Sequence, residues 1–523
     1  LLRDRVFAGE FGAGHILDLY YGAFRVPDLV FALVASLVSA YVLIPRIAGA
    51  KREETLDLLS QSISFLLLIG GGICLGLAFF APHVLFWIYP SFADSPLRDS
   101  FITLTRILLL QPVLLGISGI VTSVTQVHRR FALFALSPVL YNLGIIFGSL
   151  ALYPSYGLSG IGIGVVLGAL LHGAIHIPIL VGAGVVPRLR WPEVSRMKDI
   201  IRDSVPRSLA LGVGSFTLLA LTALAARTGT GAISVFSLAI NLSAVPLSLI
   251  GASYAVAAFP ALSEQSSAKN REAFTRILSA SARHIILWSL VFLGFIVVLR
   301  AHLVRVILGA GAFDWEATRL TAALLAVFAV GLVAQGLILL FFRALYAAKQ
   351  SWQPFFYQAV GGAFTVALAF SLLRWEGAGT PFFKLLIEAL RIEDLSAEAP
   401  ILLIALAAVL GQILLASWSL FALRREAPGL AATLVYPLVQ GLATAMLGGA
   451  AIYGTLYLLG GIAPLTTLLA VFTQGFVAGI VGLATSALTL HLLKSEEFKD
   501  IVGALGRLVG TKKILSPSAV EPT

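Results

Sequence analysis

Charge is what this chain has least of. Only 12% of its 523 residues are Asp, Glu, Lys or Arg, where a soluble globular domain carries about 25%. That shortage, beside a hydrophobic content of 59%, excludes a string of soluble domains counted by length. Cysteine is nearly absent. With Cys74 alone there is no intrachain disulfide framework and no Cys-based metal site. No Gly-x-x-x-x-Gly-Lys-Ser/Thr loop occurs, so a P-loop nucleotide site is excluded. No Ser/His/Asp, Cys/His or paired-carboxylate arrangement stands out, and the chain reads as a non-enzyme without a cofactor or metal. His172 and His176 stand at i, i+4, but no third ligand is near in sequence, so packing or a hydrogen bond is the better account of them. No signal peptide with a cleavage site is present. The chain opens at Leu1 within what reads as the last part of a helix, so its first span is expected to be truncated.

What is present is apolar sequence in runs of bilayer length, repeated from end to end, the mark of an all-α polytopic membrane protein. About fourteen spans are expected, near 1–10, 17–48, 58–89, 99–127, 131–152, 157–184, 205–227, 231–262, 277–299, 317–347, 352–374, 399–423, 432–459 and 464–493. Loops after even-numbered spans are the basic ones. Examples are Lys51 with Arg52, Arg129 with Arg130, the run from Arg188 to Arg207, Arg424 with Arg425, and the tail with Lys494, Lys499, Arg507, Lys512 and Lys513. The alternation stays in phase, so by the positive-inside rule both termini are expected in the cytoplasm. The net charge of +10 is accounted for by this rule and does not point to nucleic acid.

Two connections exceed simple turns. Residues 187–206 mix basic residues with Trp191 and read as an interfacial cytoplasmic helix and linker. Residues 375–400 contain FFKLLIEALRIEDL, an amphipathic segment expected on the outer surface. The chain also repeats itself at an offset of about 215 residues. Gly12-Ala-Gly14 answers Gly229-Thr-Gly231, and Pro27 and Pro45 answer Pro246 and Pro260. Thr105-Arg106 answers Thr318-Arg319, and Pro138 with Tyr141-Asn142 answers Pro354 with Tyr357-Gln358. Six spans separate the copies, so the halves are parallel repeats, an arrangement in which transporters bind substrate between the halves. The expected organisation is an N-terminal six-helix lobe (1–186), a linker (187–206), a C-terminal six-helix lobe (207–425), two added helices (426–493) and a cytoplasmic tail (494–523).

The most unusual stretch runs from Arg3 to Pro45. It is apolar, yet it carries Arg3, Asp4, Arg5, Glu10, Asp18, Arg25 and Asp28. Intramembrane charge is costly and usually faces a bundle interior or a watery cavity. Arg3 and Asp4 read as a cavity pair or as a structural ion pair. Arg25, just before Pro27, reads as facing a substrate or as paired with Asp18 or Asp28. Asp18 is a candidate gate. Asn241 is a candidate cavity residue or an interhelical hydrogen-bonding group, as are Asn142, Gln335, Gln358, Gln412 and Gln440. Arg106 and Arg319 read as snorkelling to the outer interface.

Three segments carry a family resemblance: RDRVFAGEFGAGHILDLYYGAFRVPD (3–28), SPVLYN (137–142) and LGAGAFDWEATRLTAALLAVFAVGLVAQGLILLFFRALYAAKQSWQPF (308–355). In these the chain resembles the MurJ (MviN) lipid II flippases of the multidrug/oligosaccharidyl-lipid/polysaccharide exporter superfamily. The resemblance implies a V-shaped pair of lobes in a bacterial inner membrane, around a cationic cavity for the head group of undecaprenyl-linked peptidoglycan precursor. It further implies alternating access coupled to membrane potential or an ion. Partners would be this lipid-linked precursor and membrane lipids; the oligomeric state is left open, a monomer among the options. Arg3, Arg25 and Asn241 would meet the substrate, and Asp4, Asp18 and Asp28 would gate or form ion pairs. Departures are present. Asp28, Phe31 and Ala32 stand where the family has Asn and a basic pair, and Ile240-Asn241 stands where it has Asp-Arg. Another polyprenyl-linked glycan as substrate, or a degenerate non-transporting homologue, therefore stays open.

Overall fold

An apolar segment in a bilayer has no water to satisfy its backbone N–H and C=O groups, so a helix must satisfy them internally. The computed structural model describes residues 1–375, 380–395, 397–460 and 467–510, and no strand occurs among them. In chain order the membrane helices are α1 (Leu2–Phe11), α2 (His15–Ile47), α3 (Arg52–Phe79), α4 (Arg98–Val127), α5 (Phe131–Tyr156), α6 (Leu158–Ala183), α7 (Val194–Ala225), α8 (Ala232–Ser267) and α9 (Arg271–Leu308). They continue with α10, the pair Trp315–Val330 and Leu332–Ala347 bent by 48° at Gly331, then α11 (Gln353–Trp375), α12 (Ile401–Leu423), α13 (Leu430–Leu458) and α14 (Leu468–Leu492).

Among the described residues twelve helices are long and apolar enough to cross, and the bent pair makes a thirteenth. The expected count of fourteen is not established, because the ten residues of α1 rise only about 15 Å, half a bilayer. The expected interfacial helix at 187–206 does not form as a separate element. Residues 185–193 are non-helical, and from Val194 the chain runs into α7 as one helix of 32 residues straight through Pro206. The amphipathic segment within 375–400 does form a helix, Pro381–Leu390, capped by the Thr380 hydroxyl and burying Phe383 and Ile387. Lys512 and Lys513 of the basic tail lie outside the described residues.

The repeat is visible in the backbone. α2 is interrupted by a 3-10 turn at Ala35–Val38, and α8 by a π turn at Ser248–Ala252, the same place one repeat later. Thr105 and Thr318 are both buried, and each hydroxyl donates to the carbonyl four residues before it.

The helices divide into two compact units. One comprises Leu1–Ala244, Val304–Gly331 and Leu345–Phe421. Within it α5 and α6 meet through glycines: a Cβ on Gly144 would lie 2.4 Å from Gly168 Cα, and one on Gly164 would lie 2.5 Å from Gly148 Cα. Small residues let membrane helices approach this closely when no hydrophobic drive separates helix from lipid. Motif residues 308–313 seat the end of α1. Ala312 N donates to Gly9 O at 2.9 Å, and Gly311, at φ +51°, has no room for a Cβ against Gly9 O. Arg5, an intramembrane charge in the sequence, donates to the carbonyls of Val306 (2.6 Å) and Ile307 (3.2 Å) and so neutralises the C-terminal end of α9.

The other unit comprises Val245–Leu303, Leu332–Ala344 and Ala422–Thr523. Here α13 and α14 lie against the middle of α9 around Leu299, Ile452, Leu456 and Ala478. Gln440 donates to Leu493 O at 2.9 Å, the interhelical bond expected of a membrane glutamine. The helix Glu496–Gly510 is held by Arg283, which pairs with Glu496 and Glu497, each at 2.6 Å.

Candidate functional site

The charged residues of α1 and α2 gather inside the first unit. α1 is pinned to α2 by Phe7 edge-on to Tyr20, with ring centres 4.6 Å apart. That contact sets Arg3 and Asp4 beside the middle of α2. Arg3 donates to Asp4 Oδ1 from Nη2 (2.7 Å) and from Nε (3.1 Å). Asp4 is buried, and its Oδ1 also accepts from Asn241 Nδ2 at 3.2 Å. The carboxylate therefore orients the guanidinium while part of the Arg3 side chain stays exposed. Seven residues inward from Asp18, Arg25 donates from Nη2 to Ser237 Oγ on α8 at 3.0 Å. Its Nε is buried without a partner, as are Tyr89 Oη and Gln111 Oε1. A buried polar atom left unpaired costs about 1–3 kcal/mol. A guanidinium with a spare donor is therefore suited to an anionic ligand, which it engages bidentately. Asp28 is half-buried and within electrostatic reach of Arg25, Gln111 and Arg3.

Asp18 does something else. The sequence allowed a pairing with Arg25, but the structure puts the Asp18 carboxylate on the start of α8. Oδ2 accepts from Gly231 N at 2.6 Å, and Oδ1 from Ser234 N at 2.8 Å and Ser234 Oγ at 2.6 Å. The first N–H groups of a helix have no partner inside it, and a carboxylate there satisfies them and complements the helix dipole. Gly231, at φ +84°, lets the chain turn hard against Ala13 O, where a Cβ would lie 2.3 Å away. So α2 caps α8 across a sequence separation of 216 residues. Beside this joint lies a cavity of about 170 Å³, lined in part by Ala13, Gly231, Val235, Asp314 and Leu320.

The structure brings Arg3, Asp4, Arg25, Asp28 and Asn241 together and places Asp18 apart from them, at the start of α8. Sequence reading missed Ser237, Ser234, Tyr89 and Gln111. Each is an isolated polar residue in apolar sequence, and no local signal marks which of them meet. Several other polar residues bond within the helical framework. Asn142 donates to Pro138 O within its own helix. Arg319 reaches the exposed Asp394 carboxylate, which it holds through two contacts of 2.6 Å. His176 is fully buried between Thr122 (2.9 Å) and Thr125 (3.0 Å), and His172 meets Ser118 at 2.6 Å. Among the described residues no group of three His, Cys, Asp or Glu is placed to hold a metal.

The chain is similar to known proteins over most of its length. A family model described as Lipid II flippase MurJ matches residues 7–382. The Lipid II flippase MurJ of Burkholderia cenocepacia is 25% identical over 375 residues, covering 68% of this chain and 71% of that protein. A Probable lipid II flippase MurJ from Thermotoga maritima is 26% identical over 374 residues, covering 70% and 75%. Among solved structures, a Lipid II flippase MurJ in an inward closed conformation superposes with a TM-score of 0.72 at 18% identity, covering 94% of this chain and 96% of that one. An inward-facing multidrug resistance MATE transporter of the MOP superfamily reaches 0.66 at 15% identity, covering 83% and 94%. Likenesses at these identities establish the fold.

Proposed function

We propose, because the chain belongs to the MurJ family of lipid II flippases, that it carries an undecaprenyl-linked peptidoglycan precursor across a bacterial inner membrane. The observation that carries the site assignment is Arg25. It is a half-buried cation whose buried Nε has no partner, seven residues along α2 from the joint between Asp18 and α8. The precursor's diphosphate would take Arg25 and Arg3, Asp4 would keep Arg3 aimed, and Asn241 and Ser237 would bond the head group from α8. Asp28 would offset the positive charge when the site is empty. Asp18 would act as the outer gate, its carboxylate released from α8 when the outer side opens. Transport by two parallel lobes needs no chemistry on the substrate, so the driving force is the membrane potential or a co-transported ion. Both termini then lie in the cytoplasm.

Fewer cations face this site than a diphosphate would use at full strength, since Asn241 and Phe31 are uncharged. A different polyprenyl diphosphate-linked glycan is the second reading that this favours. The test is complementation of flippase-depleted cells, with accessibility of the precursor in the outer leaflet as the readout. Arg3→Ala and Arg25→Ala are expected to abolish rescue at normal membrane abundance. Full rescue by both variants overturns the site. Failure of the unmodified protein to expose lipid II, with exposure of another polyprenyl-linked glycan, transfers the assignment to that substrate.

A further inference from the structure

The segment between α6 and α7 is strapped to α3 through a polar stripe. α3 starts with REETLDLLSQSIS, and its residues 57, 60, 61 and 64 recur at helical spacing on one face. All four bond the strap. Arg188 N donates to Ser60 Oγ (3.0 Å), Arg190 N to Ser64 Oγ (3.0 Å) and Glu193 N to Gln61 Oε1 (3.1 Å), while Arg190 Nη1 reaches Asp57 Oδ1 (3.2 Å). Arg52 at the base of α3 holds Gly184 O at 2.9 Å. Ser60, Gln61 and Ser64 are buried beneath the strap. The backbone of 188–193 is thus fixed, and its apolar side chains are not used to fix it. Leu189 is 76% and Trp191 85% exposed.

The level of this strap is set by the sequence of α3. From Phe65 to the end of α3 at Phe79 there is no charged residue, and the uncharged run continues through the next helix, Ala81–Ile88, so Ser64 marks the polar boundary of this apolar stretch. Trp191 sits at that boundary, where aromatic residues anchor to head groups. Just beyond it the helix widens into a π turn, Leu66–Gly70, which exposes Leu67 and Leu68. Between the strap and this turn lies a groove of about 280 Å³ lined by Ser64, Leu67, Leu68, Leu189, Arg190 and Trp191. The groove is apolar at its membrane end and carries a guanidinium at its cytoplasmic end. Asp57 positions Arg190, whose side chain is still half exposed, and the exposed Arg188 side chain has no partner among the described residues.

We propose that this groove is a binding site for an anionic phospholipid of the inner leaflet. Its acyl chain lies along Leu67, Leu68, Leu189 and Trp191, and its phosphate is held by Arg190 and Arg188. A zwitterionic lipid would bring an ammonium group against an unpaired arginine, whereas an anionic head group brings none. The occupant is a bilayer lipid and not a protein helix, because the groove opens onto the lipid-facing side chains Leu67 and Leu68 and is too short for an apolar helix. The site is separate from the transport residues Arg3 and Arg25 and does not rest on the identity of the transported substrate.

The test reads Trp191 directly. The full chain is placed in vesicles containing either brominated phosphatidylglycerol or brominated phosphatidylcholine, and the quenching due to Trp191 is taken as the difference between the unmodified protein and Trp191→Phe. The expected result is stronger quenching by the phosphatidylglycerol. The preference should fall about 5-fold for each arginine removed, the equivalent of about 1 kcal/mol near a charged surface, in Arg188→Ala and in the double variant with Arg190→Ala. Arg188→Ala deletes no side-chain contact, so it reads binding even if removal of Arg190 disturbs the strap. Equal quenching by both lipids overturns the head-group site, and absence of quenching by either overturns the membrane placement.

Discussion

Replacing Asp18 with Asn isolates the joint between α2 and α8 with little change of shape. The carboxylate accepts three hydrogen bonds, two of them from backbone N–H groups at the start of α8. Asparagine keeps one acceptor oxygen, but its NH2 then faces either Gly231 N or Ser234 N, so one charge-assisted bond, worth roughly 1.5–3 kcal/mol, is lost. The full negative charge at the helix N-terminus is lost too, worth about 0.3–1 kcal/mol. Part of this is offset because a buried carboxylate is itself costly to desolvate. A net weakening of about 2–3 kcal/mol remains, which moves a closed–open equilibrium by ~30- to ~150-fold. The assay uses Val235, a buried residue that lines the cavity beside the joint. In a Cys74→Ser background, which removes the one native thiol, Val235→Cys is expected to react slowly with an impermeant maleimide added outside. Addition of Asp18→Asn is expected to speed labelling by at least an order of magnitude, and Asp18→Glu by less. Unchanged labelling in Asp18→Asn, at equal membrane abundance, would refute the reading of this contact as a gate.

Three further outcomes follow from particular contacts. Arg25→Lys is expected to retain only part of the rescue lost in Arg25→Ala, because an ammonium keeps the charge but lacks the planar fork; the measure is precursor exposure at matched protein level. Gly164→Leu is expected to prevent close approach of α5 and α6 and sharply reduce abundance, whereas Gly119→Leu, where an added Cβ meets nothing within 4 Å, should be tolerated; immunoblotting of membranes compares them. The hydrogen bonds from Arg319 hold the Asp394 carboxyl, in the segment between α11 and α12, below its ordinary value of 3.8. A depressed carboxyl contributes its stabilisation above the unfolded value and loses it as pH falls through the folded one. The melting difference between the unmodified protein and Asp394→Asn should therefore be constant from pH 7 to about 5 and close below about 4.

Hydropathy made most of the fold legible. The spans beginning near Arg98, Phe131 and Leu158 were read to within a few residues because their ends are marked by Arg129 with Arg130, or by glycine. The repeat was readable because its glycines and prolines mark backbone irregularity, and the turns at 35–38 and 248–252 do fall one repeat apart. Basic residues beside Trp191 suggest a separate interfacial helix at 187–206, yet from Val194 the chain runs on into α7, and a proline such as Pro206 in the interior of a long membrane helix is tolerated where neighbouring groups satisfy the freed carbonyl. At the site, charge in an apolar run identified Arg3, Asp4, Asp18 and Arg25, since no other signal is so costly in a bilayer. What charge cannot reveal is the partner. Asp18 and Arg25 are spaced to share a helix face, and local geometry favours their pairing; each instead bonds α8, more than 200 residues away. Ser234 and Ser237 look like any other serine in a membrane helix, and only the tertiary fold separates them from Ser243 and Ser248, which bond their own helix.

The distribution of charge bears on how a diphosphate would be handled. Both candidate cations sit on α1 and α2, while α8 contributes Ser237 and Asn241, which are neutral. A head group held mainly by α1 and α2 stays attached to those helices as α8 moves, so releasing Asp18 from α8 need not break the arginine contacts. What it breaks are hydrogen bonds from Ser237 and Asn241 in which only one partner is ionised, each worth about 1.5–3 kcal/mol. A site with arginines on both sides would have to break a bidentate pair between two opposite charges for the same motion, which costs more. The one-sided arrangement thus gives weaker binding and a lower barrier to opening. It follows that Asn241→Arg should tighten precursor binding while slowing transport. An Asn241→Arg variant that binds more tightly and transports faster would show that opening does not separate α8 from the bound head group.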